Sequence, residues 1–390
     1  MSPKLERNSN VILLQHGPAR CYLGTYRGTF RTIDIHARIC SFSENSELAI
    51  IFVHVCTAML SQSLAFLLFG GTFVTCLSTD KFDTQPNFDV ALVDVVPTVP
   101  TFENLAIRKT GEVLVTSVAS SLLYQISPNA SYLPVLVAEI PNFTGILGIA
   151  ELQTDLFYVV SSNLTGTACS NAVWEIDLRN STVTPSGEAS HQAKASLIKE
   201  FCTARQLNGL TTLSTNDTSN LLISDSANGT VYKLDVKTGD YNIVLEEPEF
   251  DPLDTGISVG INGIHVYDEA LYFTSLDQGL FARIPISLET GCATGAVEIL
   301  ATNITYGDDF AISPQGSHAW IATNGPNEIV EVDIANKTQR IAASSPFLGS
   351  ASSVAFGYWQ SERILYVTGG LAVGISSNNT RGHLAAVRLD

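Results

Sequence analysis

From about residue 88 to the C-terminus, apolar and polar residues alternate in short runs, rich in Val, Ile, Phe and Tyr and separated by Gly, Asn and Asp. A period of two in β-branched and aromatic residues, broken by turn formers, predicts strands that bury one face. One unit recurs. It has an inner strand opening on a polar residue, a turn, a strand ending near Ser or Thr, a loop, and a strand ending in an acidic residue or Pro. Copies begin at Phe102 (FENLAIRKTGEVLVTSVASSLLYQISP), Leu207 (LNGLTTLSTNDTSNLLISDSANGTVYKLDV), Ile261 (INGIHVYDEALYFTSLDQGLFARIPI) and Gly307 (GDDFAISPQGSHAWIATNGPNEIVEVDI). A weaker copy starts at Ile146, and a sixth at Ser352 is closed by GHLAAVRLD. A spacing of about 45–60 residues suits a four-stranded blade. The chain is therefore expected to be all-β, a six-bladed β-propeller. FDVALVDVV, from Phe88, is left over at the front; placed in the last blade it closes the ring and removes both sheet edges.

The first 79 residues break the pattern. Leu48 to Leu77 carry no Asp, Glu, Lys or Arg. That length suits a membrane-spanning helix, but the only methionines are Met1 and Met59. A start at Met59 gives MLSQSLAFLLFGGTFVTCLS, an apolar core followed by small residues suited to cleavage near Cys76 to Thr79. Residues 1–79 are thus expected to be a leader and 80–390 the propeller domain, on the secretory pathway and without a stable membrane anchor after processing. Nine Asn-x-Ser/Thr sequons, at Asn129, Asn142, Asn163, Asn180, Asn216, Asn228, Asn303, Asn336 and Asn378, all follow the apolar segment and predict glycosylation at several of them.

Charge narrows the partners. After residue 79 there are 15 basic and 34 acidic residues, a balance of −19. Such a surface repels phosphate backbones, so nucleic acid is not an expected partner. Aligning the copies on the apolar residue that follows places Glu103, Leu147, Asn208, Asn262, Asp308 and Ser352 at the mouth of the central channel. Converging carboxylates and amide oxygens suit Ca²⁺ or Mg²⁺, and equally suit a water-filled polar lining.

The copies LNGL, INGI and DDFAI, with Glu103 in FENLA, resemble the senescence-marker/gluconolactonase/strictosidine-synthase-like superfamily of six-bladed propellers over residues 88–390. In its lactonases a divalent metal is held by a Glu, an Asn and an Asp, which the resemblance carries to Glu103, Asn208 or Asn262, and Asp308. Gly307-Asp308-Asp309 stands where those enzymes have Pro-Asp-Gly, and Leu147 replaces a polar residue. ENLAIRKTGEVLVT, VGINGIHVYDEALYFT and SSVAFG are similar to secreted fungal members that include the hetero-Diels–Alderases of tropolone–sesquiterpenoid (xenovulene- and eupenifeldin-type) biosynthesis.

Two activities follow from that resemblance. The first is a cycloaddition that needs no cofactor and joins a tropolone-type quinone methide to an apolar olefin or sesquiterpene, both of them small apolar molecules; the alternative is a divalent-metal-dependent lactonase. For the cycloaddition, Glu103, Asp308, Asn208 and Asn262 are the expected donors and acid–base groups, with His265, three residues after Asn262, the one histidine placed to join them. Phe143, Phe201, Phe250, Tyr306 and Phe347, in loops entering that face, are expected to form an apolar lid. No GxSxG, phosphate loop or dinucleotide fingerprint occurs. Of the cysteines beyond the leader, Cys169 and Cys202 both fall on the channel-mouth face of this fold and are expected to pair, leaving Cys292 free.

Overall fold

The structure is a computed structural model. It describes residues 88–389 except 130–131, 185 and 373–379, and, before them, the backbone of strands between 12 and 76. The chain divides into two units, Met1–Gln85 and Pro86–Asp390.

In the first unit six strands, Ile12–Leu14, Cys21–Phe30, Ile33–Ser41, Ala49–Thr57, Leu60–Phe69 and Thr72–Cys76, pair in sequence order as an antiparallel sheet. Of these strands, Ile12–Leu14, Cys21–Phe30 and Ile33–Ser41 fall within residues 1–47, where the sequence shows no strand or helix period. Met59 and the expected cleavage stretch 77–79 lie outside the described residues. Among those described, no helix is long and apolar enough to cross a membrane.

The second unit is a six-bladed β-propeller. Blades one to five are consecutive four-stranded meanders whose inner strands are Leu105–Ile107, Gly145–Gln153, Leu207–Thr212, Ile261–Tyr267 and Gly307–Ile312. The sixth contains Ser353–Trp359, Glu362–Ala372 and Thr380–Arg388, and its outermost strand is Val90–Val96, antiparallel to Thr380–Arg388. Six separate apolar cores hold the ring, one at each blade interface. The last joins Leu105, Val113 and Ile126 of blade one to Ile364, Tyr366 and Leu384 of blade six.

Two sets of bulges shape the blades. In every blade the outer strand carries one extra residue opposite the third strand: Val137, Ile198, Val244, Leu300, Ala342 and Val93. All six are apolar, and each packs into a different inter-blade core. The bulge turns a side chain that alternation would send to solvent toward the next blade. In blades two to five the inner strands lose pairing over 147–148, 208–209, 262–263 and 308–309. These are the channel-mouth positions.

Their backbone groups find partners elsewhere. The hydroxyls of Thr116, Ser224 and Thr274 accept the N–H of Asn104, Gly209 and Gly263 in their own blades. Each then donates to a carbonyl of the next blade: Thr116 to Leu147 (2.7 Å), Ser224 to Asn262 (2.7 Å), and Thr274 to Asp308. Thr368 does the same for Glu103 at 3.0 Å. In blades one, three, four and six the Ser or Thr near the end of the second strand is therefore an inter-blade stitch that satisfies buried backbone, whereas Ser161 and Thr323 donate to Ala172 and Glu328 of their own blades.

Candidate active site

Because the ladder is interrupted at the mouth, the two residues at each interruption are aimed by neighbouring blades instead of by their own sheet. In blades two, three and four the second of the two is glycine. A Cβ on Gly209 would lie 2.4 Å from the Asn262 carbonyl, and one on Gly263 2.7 Å from Asp309 Cα, so glycine lets adjacent inner strands touch. In blades five, six and one that position is Asp309, Ser353 and Asn104. These three blades are contiguous, so the polar side chains gather on one side of the channel.

Asp309 is the hub. Its Oδ2 accepts the Ser353 hydroxyl at 2.9 Å and the Asn104 amide at 3.0 Å. Its Oδ1 accepts the N–H of Phe310 at 2.8 Å and lies 2.9 Å from His265 Nε2. Burial alone would raise the Asp309 pKa. The charge and hydrogen bond of His265, with the Phe310 and Ser353 donors, outweigh it and hold the carboxylate below its usual range. An ionised Asp309 fixes His265 Nε2 as the protonated nitrogen and leaves Nδ1 as the basic one. The His265 ring stands edge-on to Phe310 and its side chain is 39% exposed, so it is both oriented and accessible.

Two further carboxyls share the site. Glu103 is half-buried, and its pKa is pushed well above the ordinary value, first by burial, then by the neighbouring charges of Asp308 and Asp309. Burial raises Asp308 to about 7. The Asn324 amide, 3.0 Å from Asp308 Oδ2, opposes that shift, Asp309 adds to it, and Asn262 opposes it again. The mouth thus holds an anchored imidazole beside two carboxyls whose hold on their protons is strengthened, Asp308 to about 7 and Glu103 well above its ordinary value. Proton donor and acceptor stand side by side.

Several expected site residues are placed elsewhere. Leu147 is buried in the core between blades two and three and does not line the channel. Ser352 donates its hydroxyl to the Phe102 carbonyl at 2.8 Å, and Ser353 takes the polar position. The expected lid is corrected more heavily. Phe201 is fully buried against Tyr232 and Tyr241, and Phe250 against Phe273. Phe143 packs edge-on against Trp174. All three serve inter-blade cores, because a ring adds more by filling a blade interface than by standing in water. Only Tyr306 and Phe347 are exposed. Asn208 and Asn262 lie buried on adjacent inner strands.

Asp309, Asn104, Ser353 and Asn324 were missed by the sequence reading. A signal for the first three existed: each fills the slot that is glycine in the other half of the ring.

Cys169 and Cys202 form a disulfide across 33 residues, and Cys292 is free and exposed. Among the described residues no group of three or more His, Cys, Asp or Glu side chains is arranged to hold a metal ion. Asp309 is taken up by protein partners, which leaves Glu103, Asp308 and the amides as hard oxygen donors. Of the sequons, Asn378 lies outside the described residues. Asn129, Asn142, Asn180, Asn216, Asn303 and Asn336 are exposed, whereas Asn163 and Asn228 are half-buried.

No protein-family model matches the chain, and no curated protein sequence does. Solved structures share its fold. Regucalcin from Agrobacterium tumefaciens, described as a calcium-binding protein, is 15% identical over 77% of this chain and 95% of its own, with a TM-score of 0.54. A luciferin-regenerating enzyme is 14% identical over the same shares, with a TM-score of 0.55. A Bacteroides thetaiotaomicron protein of unknown function is 10% identical, covering 99% of this chain and all of its own, with a TM-score of 0.55. At these identities the likeness establishes the propeller fold.

Proposed function

We propose that this protein is a hetero-Diels–Alderase that forms a tropolone-type quinone methide in its channel mouth and joins it to an apolar olefin, in the manner of the secreted fungal propellers its motifs resemble. The observation that carries the reading is the His265–Asp309 pair standing beside Glu103 and Asp308. Such a catalyst must expel water from a hydroxymethyl precursor. His265 Nδ1 takes the ring hydroxyl proton while a protonated carboxyl, Glu103 or Asp308, gives its proton to the departing hydroxyl. The C–O bond breaks, water leaves and the heterodiene forms; the proton on His265 then returns to the carboxylate. In the second step a C–C and a C–O bond form together as the olefin adds, with no net gain or loss of electrons. A carboxyl hydrogen-bonded to the heterodiene carbonyl favours that step, and holding both partners in contact removes the entropy of their encounter.

The test is purified protein in chelator, supplied with a hydroxymethyl tropolone and a cyclic sesquiterpene olefin. The expected result is a single adduct, lost by 10²-fold or more in His265→Gln and Asp309→Asn, the range typical of general acid–base groups.

One observation favours a second reading, a lactonase. Glu103 is crowded by two other carboxyls, a repulsion that a divalent cation relieves. Glu103, Asp308 and the amide of Asn208 or Asn262 would hold Ca²⁺ or Mg²⁺, which supplies Lewis-acid polarisation of a lactone carbonyl when bound. Rapid opening of an aldonolactone, abolished by chelator and restored by the ion, with no adduct from the tropolone and olefin, would replace the first reading. In either case the chain is read as exported from a start at Met59 and glycosylated.

A further inference from the structure

The longest connection entering the channel-mouth face is 247–260, between the outer strand of blade three and the inner strand of blade four. Its counterparts at 140–144, 201–206, 302–306 and 345–352 are shorter. It leaves through the turn Pro248–Phe250, anchored by the buried Phe250 ring, and reaches Asn262 at the start of the next inner strand. In between it is clipped from outside. The Asp277 carboxylate accepts the backbone N–H of Leu253 (3.2 Å), Ile257 (2.9 Å) and Val259 (3.1 Å). The neighbouring Gln278 amide donates to the carbonyls of Pro248 and Asp251, both at 2.8 Å. A Cβ on Gly256 would lie 2.2 Å from the Asp277 carboxyl carbon, so the loop is drawn tight against the clip.

A loop this well held still exposes two aliphatic side chains, Leu253 at 42% and Ile257 at 62%. The connections at 302–306 and 345–352 put Tyr306 and Phe347, also exposed, on the same face. The backbone satisfied by Asp277 makes the loop a preformed wall, which costs a ligand little ordering entropy. Its acidic neighbours Asp251 and Asp254 disfavour an anionic occupant.

Resting on the cyclase reading, we infer that Leu253 and Ile257 grip the hydrocarbon half of the substrate, the olefin, and that Asp277 is the positioning residue that sets this wall. The wall selects a large apolar olefin over a small one, while the tropolone half goes to the polar cluster.

The test measures binding of a fifteen-carbon cyclic olefin alone, by equilibrium dialysis against the full propeller, together with competition between fifteen-carbon and five-carbon olefins for the quinone methide. Leu253→Ser/Ile257→Ser is expected to weaken binding of the large olefin at least tenfold, and to erase its preference over the small one. Dehydration of the tropolone alone should be unchanged. Asp277→Ala should give the same loss of preference. Leu133→Ser, exposed on the opposite face, should bind like the parent. If the double variant binds the large olefin as tightly as the parent, the wall is rejected and the cyclase reading stands. If the parent binds no olefin, both fall. The double variant alters only exposed side chains, so the test holds even if Asp277→Ala folds poorly.

Discussion

At the residue scale, the chemistry depends on which of three adjacent carboxyls keeps its proton. Asp309 is ionised because donors converge on it from blades one, four and six, whereas Asp308, one residue earlier, has amide donors and a like charge beside it. For Asp308 the folded-state pKa is about 7 against an ordinary value of 3.8. The unfolded chain therefore ionises first, and the stability this group contributes is complete below about pH 4 and is lost as pH rises towards 7. Asp308→Asn removes that loss. Thermal melts in chelator should show the variant gaining on the parent between pH 4 and pH 8, and parallel curves would reject the assignment. Glu103→Gln keeps size and polarity but cannot transfer a proton, so adduct formation should slow with the melting temperature preserved or raised. Glu103, Asp308 and His265 were legible in the sequence, because each sits at a repeat-aligned position or close to one. Asp309 was not singled out: its partners come from positions far apart in the chain, Asn104 and Ser353 among them.

At the scale of the element, bulges decide where alternation ends. A strict period of two predicts which residues of an outer strand face inward, and it fails by one at Val137, Ile198, Val244, Leu300, Ala342 and Val93, where the extra residue resets the face. The inner-strand interruptions at 262–263 and 308–309 have the opposite use, presenting polar groups to the channel. Gly263→Ala should force blades four and five apart. We expect a loss of about 1–3 kcal/mol, as for overpacked cores, with a disproportionate fall in activity because Asp309 is the atom group displaced; unchanged melting and turnover would refute this. The Cys169–Cys202 bridge joins the loop 163–170 to the entry of blade three. For a closed loop of 33 residues, the chain-entropy model gives about 3–4 kcal/mol. Cys202→Ser should show most of that loss in denaturant melts, and labelling of unreduced, denatured mature protein should modify Cys292 alone.

For the whole molecule, stability rests on closure, since every blade buries its faces only against its neighbours. Protein beginning at residue 86 should fold and melt cooperatively, because residues 1–85 form a separate unit. Protein beginning at residue 98 loses Val90–Val96, exposes the edge of Thr380–Arg388 and removes Val93 and Val96 from the core between blades six and one. It should aggregate or melt far lower, and equal stability of the two proteins would show that the ring does not depend on this strand. Sequence alone determined the repeat, the number of blades and the six-fold recurrence of a Ser or Thr at the end of the second strand, because each of these is a local pattern copied along the chain. It also carried the residue types at the mouth. Tertiary structure alone decided that Phe201 and Phe250 fill blade interfaces, that Asp309 and not Asp308 anchors His265, and that the polar side of the channel is built by blades five, six and one. Those outcomes depend on which side chains meet across the ring, and contacts between residues some two hundred positions apart leave no periodicity to read.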